Sequence, residues 1–130
     1  MKIVFPGGKR VDALFDDFTV KTDQSAAHGG DASAPEPFAM FLVSLGTCAG
    51  IYVLSFCQHR DLSTEGISLS MSSEVDPDTK LTGTVKITIN VPDAFPQKYH
   101  NALIRSAEQC AVKKHIAVAL PEFKVDVISE

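Results

Sequence analysis

The apolar positions of this chain fall into two periods. Phe38, Phe41, Leu42, Leu45, Ala49, Tyr52, Val53 and Phe56 recur at steps of three and four, which predicts an amphipathic helix. Pro37 suits its first position, and the charge of His59-Arg60 suits its C-terminal end. Ile67 to Ser72 alternates with period two. So do Leu81, Gly83, Val85, Ile87, Ile89 and Val91, opposite Thr82, Thr84, Lys86, Thr88 and Asn90. Asp76-Pro77-Asp78 separates the two runs, so they read as an antiparallel hairpin.

The remaining segments are shorter. Met1 to Phe5 reads as a strand ending at Pro6-Gly7-Gly8. Val11 to Phe15 and Phe18 to Thr22 flank an Asp16-Asp17 turn. Residues 23 to 37 collect Ser, Gly, Ala, Asp and Pro and form a long irregular loop, a place where function often sits. Pro96 opens a second helix that runs to about His115 or Val118, with Tyr99, Leu103, Ser106, Cys110 and Lys113 along one face. After Pro121, Phe123, Val125 and Val127 alternate with Lys124, Asp126 and Ile128 in a last strand. The order β-β-β-α-β-β-α-β predicts an α+β fold with a mostly antiparallel sheet.

Composition narrows the classes. At 130 residues one domain, 1–130, is expected, and 45% hydrophobic with 22% charged residues is ordinary globular usage. A net charge of −4 with no basic run argues against nucleic acid or an anionic membrane as partner. The stretch from Phe38 to Cys57 has the length of a membrane span, but it carries Ser44, Gly46, Thr47, Gly50 and Ser55 and lacks a flanking Lys/Arg cluster. A buried core helix is the expectation. No secretory leader opens the sequence, and three cysteines make a poor disulfide framework. Reduced thiols in the cytoplasm are therefore expected.

Helical geometry sorts those cysteines. Cys48 and Cys57 are nine positions apart on the first helix, a net half-turn at about 100° per residue, so they face opposite sides. Cys110 lies on the second helix and meets Cys48 if the two helices pack together. One reading is a reactive dithiol: a thiolate attacks a peroxide, becomes a sulfenic acid, and condenses with a second thiol. A nearby cation lowers a thiol pKa, and Arg10, Lys113 and Lys114 are of the right type. The bland alternative is three small buried hydrophobes. Other chemistries find less support. C-x-x-C and G-x-S-x-G are absent, Gly29-Gly30 lacks a phosphate-loop lysine, and His28, His59, His100 and His115 show no metal-ligand spacing. No metal and no bound cofactor is expected.

The segment from Glu36 to Cys48, EPFAMFLVSLGTC, resembles the central-helix signature of the OsmC/Ohr superfamily. Gly29 to Pro35 is similar to that family's glycine-containing loop, and Ser106 to Lys113 to its second-cysteine helix. The order of elements agrees over essentially the whole chain. The resemblance implies an α+β fold built as an intertwined homodimer, with sheets from both chains around two central helices. It implies a peroxidase of organic hydroperoxides, or of hydrogen peroxide, active in oxidative-stress defence. Cys48 matches the peroxidatic cysteine and Cys110 the resolving one, and a dithiol, lipoyl in the Ohr branch, would reduce the disulfide.

Arg10, after Gly7-Gly8, matches the N-terminal arginine that stabilises the thiolate, and it is the one Arg before Cys48. The positions of the family's activating glutamate hold Phe38 and Ala39 here, and Glu36 lies just before them. Glu36 is the candidate substitute. Phe38, Phe41 and Tyr52 are candidates to line an apolar peroxide pocket. The departure at the glutamate keeps a rival open: a non-peroxidase OsmC-like dimer that binds a small ligand and keeps its cysteines structural.

Overall fold

A computed structural model describes residues 1–118 and 120–128. The chain forms two compact units, Met1–Ser44 and Leu45–Glu130. The fold is α+β, with three α-helices and two antiparallel sheets among the described residues.

In the first unit, β1 (Lys2–Gly7), β2 (Arg10–Phe15) and β3 (Phe18–Thr22) form an antiparallel meander in the order β1-β2-β3. Phe15 pairs with Phe18 across the Asp16-Asp17 turn, and their rings lie 5.7 Å apart. Asp16 takes φ 50°, a left-handed conformation that Asp tolerates better than most residues.

Residues 23 to 36, expected as an irregular loop, close on themselves. Asp23 is buried, and its carboxylate accepts from Ser33 N at 3.0 Å, Ser33 Oγ at 2.7 Å and Gln24 N at 2.8 Å. The Asp23 amide donates to the Pro35 carbonyl at 3.2 Å and closes the neck. Gly30 makes the tight crossing possible: a Cβ there would fall 2.1 Å from the Gln24 carbonyl oxygen.

The first helix, α1, spans Pro37–Gln58, with Pro37 at its first position as the sequence predicts. It is long and apolar enough to cross a membrane by length and composition. In the second unit its buried side is Leu45, Ala49, Val53, Phe56 and Cys57. There β4 (Ser68–Val75) and β5 (Thr82–Asn90) form the predicted hairpin, with Leu69 opposite Ile89 and Met71 opposite Ile87. The core gathers Val53, Phe56, Cys57, Phe95 and Leu103, with Leu69, Ile89 and Tyr99 packed around it. Tyr99 meets Phe56 edge-on at 5.9 Å. Burying one such side chain contributes about 1.5–3 kcal/mol.

Two expectations need correction. The second helix is not continuous through Cys110. It consists of α2 (His100–Ala107) and α3 (Ala111–Ala117), after a 3-10 turn at Gln97–Tyr99. Gln109 N bonds to Ser106 O at 3.0 Å and Cys110 N to Ala107 O at 3.2 Å, so the chain tightens and leaves the helix. Cys110 at φ −42°, ψ 115° then starts α3 as its N-cap. The last strand is likewise missing: residues 123–127 pair with no described strand, and Phe123, Val125 and Val127 are 83%, 93% and 97% exposed. An alternating segment is a strand only where a ladder partner and a covered face exist, and the described residues offer neither.

Candidate functional site

Cys48 sits midway along α1, between the buried Leu45 and Ala49, and is itself half-buried. The break after α2 aims the start of α3 at it. The amides of Val112 and Ala111 and the Cys110 side chain are the polar groups that act on the Cys48 sulfur. These groups favour the charged sulfur. The Cys48 thiol is held below its ordinary value, chiefly by the Val112 amide, with burial opposing and the Cys110 thiol and Ala111 amide assisting. The activating groups are thus main-chain dipoles. Of the candidate cations, Lys114 Nζ binds Gln109 Oε1 at 2.6 Å, and Lys113 contributes its backbone amide to Cys110.

Cys110 is buried at 2% exposure. Its sulfur accepts from Lys113 N at 3.4 Å and lies 3.8 Å from the Leu45 carbonyl oxygen, to which the thiol can donate. Its pKa is pushed up, first by burial and further by the neighbouring Cys48, whose charge a second thiolate would repel. Both thiols are reduced, and no bond joins them. The pair is therefore asymmetric, with one thiol shifted toward ionisation and its neighbour shifted away from it.

Cys57 is separate, as helical phase predicts. It is fully buried in the core, where burial raises its pKa and the Arg60 charge partly offsets this. The Arg60 guanidinium lies 3.9 Å from the centre of the Phe56 ring.

Four of the other named residues belong to the first unit. Arg10 folds back on its own turn, with Nε 3.3 Å from the Gly7 carbonyl and a terminal nitrogen 3.5 Å from that of Pro6. The rings of Phe38 and Phe41 lie 5.5 Å apart, tilted by 37°, and Phe38 is exposed. Glu36, just before α1, accepts the Met40 amide on its main-chain carbonyl at 3.2 Å, so its carboxylate is free to reach back into the loop. Glu36 Oε1 meets His28 Nδ1 at 2.9 Å and accepts from Ser25 N at 2.9 Å. These partners, His28 first, hold its pKa at about 2. Ser25 Oγ also contacts His28 Nδ1, at 3.0 Å. A catalytic triad needs serine and acid on opposite ring nitrogens, so this cluster is a loop clasp.

Tyr52, the last candidate, lies in the second unit. Its main-chain carbonyl accepts from Ser106 Oγ at 3.1 Å, so this position enters the site through its backbone. Sequence reasoning placed Ser106 on the Cys110 face but gave it no task. The amide donors of Ala111 and Val112 were missed altogether, since their side chains carry no chemistry. No group of three His, Cys, Asp or Glu residues suited to a metal occurs among the described residues.

A profile of the family described as OsmC-like protein matches residues 29–124. No curated protein sequence matches the chain. Among solved structures, a Psychrobacter arcticus protein named for osmotic stress induction and a detoxification response aligns with a TM-score of 0.74 at 19% identity, covering 87% of this chain and 84% of that one. A Legionella pneumophila protein named as an organic hydroperoxide resistance protein aligns with a TM-score of 0.56 at 17% identity, covering 90% and 87%. At these identities the likeness to the two structures is one of fold.

Proposed function

Because the chain belongs to the OsmC-like protein family, we propose that it is a thiol-dependent peroxidase of organic hydroperoxides, with a role in oxidative-stress defence. The observation that carries this reading is the neighbouring Cys48–Cys110 pair, with the Cys110 sulfur 3.8 Å from the Leu45 carbonyl one turn before Cys48 and the two thiols shifted in opposite directions. The Cys48 thiolate attacks the distal peroxide oxygen. An S–O bond forms, the O–O bond breaks, and the departing alkoxide takes a proton to leave as alcohol. Conversion to sulfenic acid removes the charge on Cys48, and with it the repulsion that opposes ionisation of Cys110. Cys110 then attacks the Cys48 sulfur, water leaves, and a disulfide forms. An external dithiol, for which a lipoyl group is the proposed chemistry, returns two electrons and two protons. A reducing cytoplasm is the compartment that fits such a cycle.

A second copy of the chain completes the proposal. Val43, Ile51 and Leu54 stand exposed along α1, and Val118, Leu120, Phe123, Val125, Val127 and Ile128 in the tail are exposed as well. A homodimer would cover both. The deciding experiment is titration of the reduced protein with cumene hydroperoxide. A loss of about 2 Da per chain, abolished by Cys48→Ser, is the expected result. Thiols that stay free under stoichiometric peroxide would sink the reading. The rival, a dimeric small-ligand module, draws on the Arg10 guanidinium, which is already bonded to the Pro6 and Gly7 carbonyls.

A further inference from the structure

We propose that Ser106 is a positioning residue that holds the amide donors of the second cysteine segment in line with Cys48. The proposal deepens the reading above, because it concerns the same thiol. Ser106 lies half-buried on α2 and donates its hydroxyl to the Tyr52 carbonyl on α1 at 3.1 Å. A serine inside a helix commonly returns its hydroxyl to a carbonyl of its own helix. Here it crosses to another one. Inside α1 the Tyr52 carbonyl has an intrahelical partner by helix geometry, so the extra bond serves the docking of α2.

A second polar clasp lies close by, where the Cys110 sulfur meets the Leu45 carbonyl at 3.8 Å. Leu45, Cys48 and Tyr52 are spaced three and four apart, so they form one stripe of α1. The segment from Ser106 to Cys110 is fastened at both ends of that stripe, with Cys48 between. Ala111 and Val112 follow directly. The intervening turns, Gln109 N to Ser106 O at 3.0 Å and Cys110 N to Ala107 O at 3.2 Å, leave little slack. A shift of Ser106 therefore reaches the donors. Hydrogen bonds weaken steeply with misalignment, so a small displacement of α2 costs the thiolate its support. The hold of α2 on the core comes instead from Leu103, at 2% exposure. Loss of the hydroxyl should thus move the thiol much more than the fold.

The test compares Ser106→Thr with Ser106→Val, which share a shape and differ in the donor. Each protein is labelled with iodoacetamide across pH, Cys48 and Cys57 are read separately by peptide mass spectrometry, and thermal melts are recorded. The expected result is a wild-type Cys48 profile for Thr. For Val, the half-labelling pH should rise and Cys48 labelling at pH 7 should slow roughly three- to ten-fold, with Cys57 and the melt unchanged. Should Val fail to fold, Ser106→Ala takes its place in the same comparison. Identical Cys48 profiles with and without the hydroxyl would overturn the proposal. Free wild-type thiols after peroxide would instead remove the peroxidase reading, and the labelling comparison would still decide the role of Ser106.

Discussion

The Cys110 sulfur lies 3.8 Å from the carbonyl oxygen of Leu45, three residues before Cys48 on the same helix. That contact seats the second thiol beside the first while leaving both reduced. It also dictates what a blocked second step should look like.

In Cys110→Ser, Cys48 should still react with hydroperoxide, but no thiol remains to condense with the product. A dimedone adduct at Cys48 is the expected species by mass spectrometry, in place of the disulfide of the wild type. An adduct on Cys57 would refute this assignment of the two thiols.

Removal of one amide donor should be visible at the thiol. Ala111 is the first residue of α3, a position where proline fits, and the extended ψ of 115° at Cys110 suits a residue before proline. Ala111→Pro should therefore fold normally and raise the half-labelling pH of Cys48 by a fraction of a unit up to about one unit. An unshifted profile would show that the amide contributes nothing.

Asp23 and Glu36 both have pKa values of about 2, below the ordinary 3.8 and 4.5. Ser33 is the main cause for Asp23, through its hydroxyl and then its amide, and His28 is the main cause for Glu36. A depressed carboxylate contributes stability above its unfolded value and loses it as pH falls through the folded one. The melting temperature should therefore hold down to about pH 5 and drop between about pH 4 and 2. Asp23→Asn should flatten part of that drop, and an acid limb unchanged in this variant would contradict the assignment.

Gly30 should tolerate no side chain. The 2.1 Å approach of a Cβ to the Gln24 carbonyl oxygen forces main chain to move. Gly30→Ala should cost more than about 2 kcal/mol in denaturant unfolding, whereas Gly50→Ala meets no atom within 4 Å and should cost the isolated fold nothing.

If a second copy covers the tail, the wild type should sediment at twice 14.0 kDa. Val125→Asp combined with Val127→Asp should shift it toward the monomer, because burying an unpaired carboxylate in an interface is costly. A monomeric wild type would leave the exposed tail without this explanation.

Much of the architecture was legible because it is written in periodicity. The apolar steps of α1, its start at Pro37 and the register-defining alternation of β4 and β5 all follow from side-chain burial. The break at Cys110 was not legible, because the steps of three and four from Tyr99 through Leu103, Ser106 and Cys110 to Lys113 run straight through it. What ends α2 is a change of main-chain path at a cysteine, and cysteine carries no strong breaking signal. The last strand misled for a related reason: alternation reports a face to be covered and does not say which chain covers it. At the site, the two sulfurs could be paired from helical phase and family resemblance. The loop ring around Asp23 was not legible, since the bonds that close it, from Ser33 and Pro35 to Asp23, join residues ten and twelve apart.

The donors at Cys48 carry a consequence for inheritance. A point mutation can swap an arginine or glutamate for something inert, but it cannot delete an N–H except by creating proline. Positions 111 and 112 can therefore drift among many residue types while the thiolate keeps its company. Natural variants that silence this thiol should cluster where the chain path is set, at Ser106 and through the turn to Cys110, and seldom at the two residues that touch it.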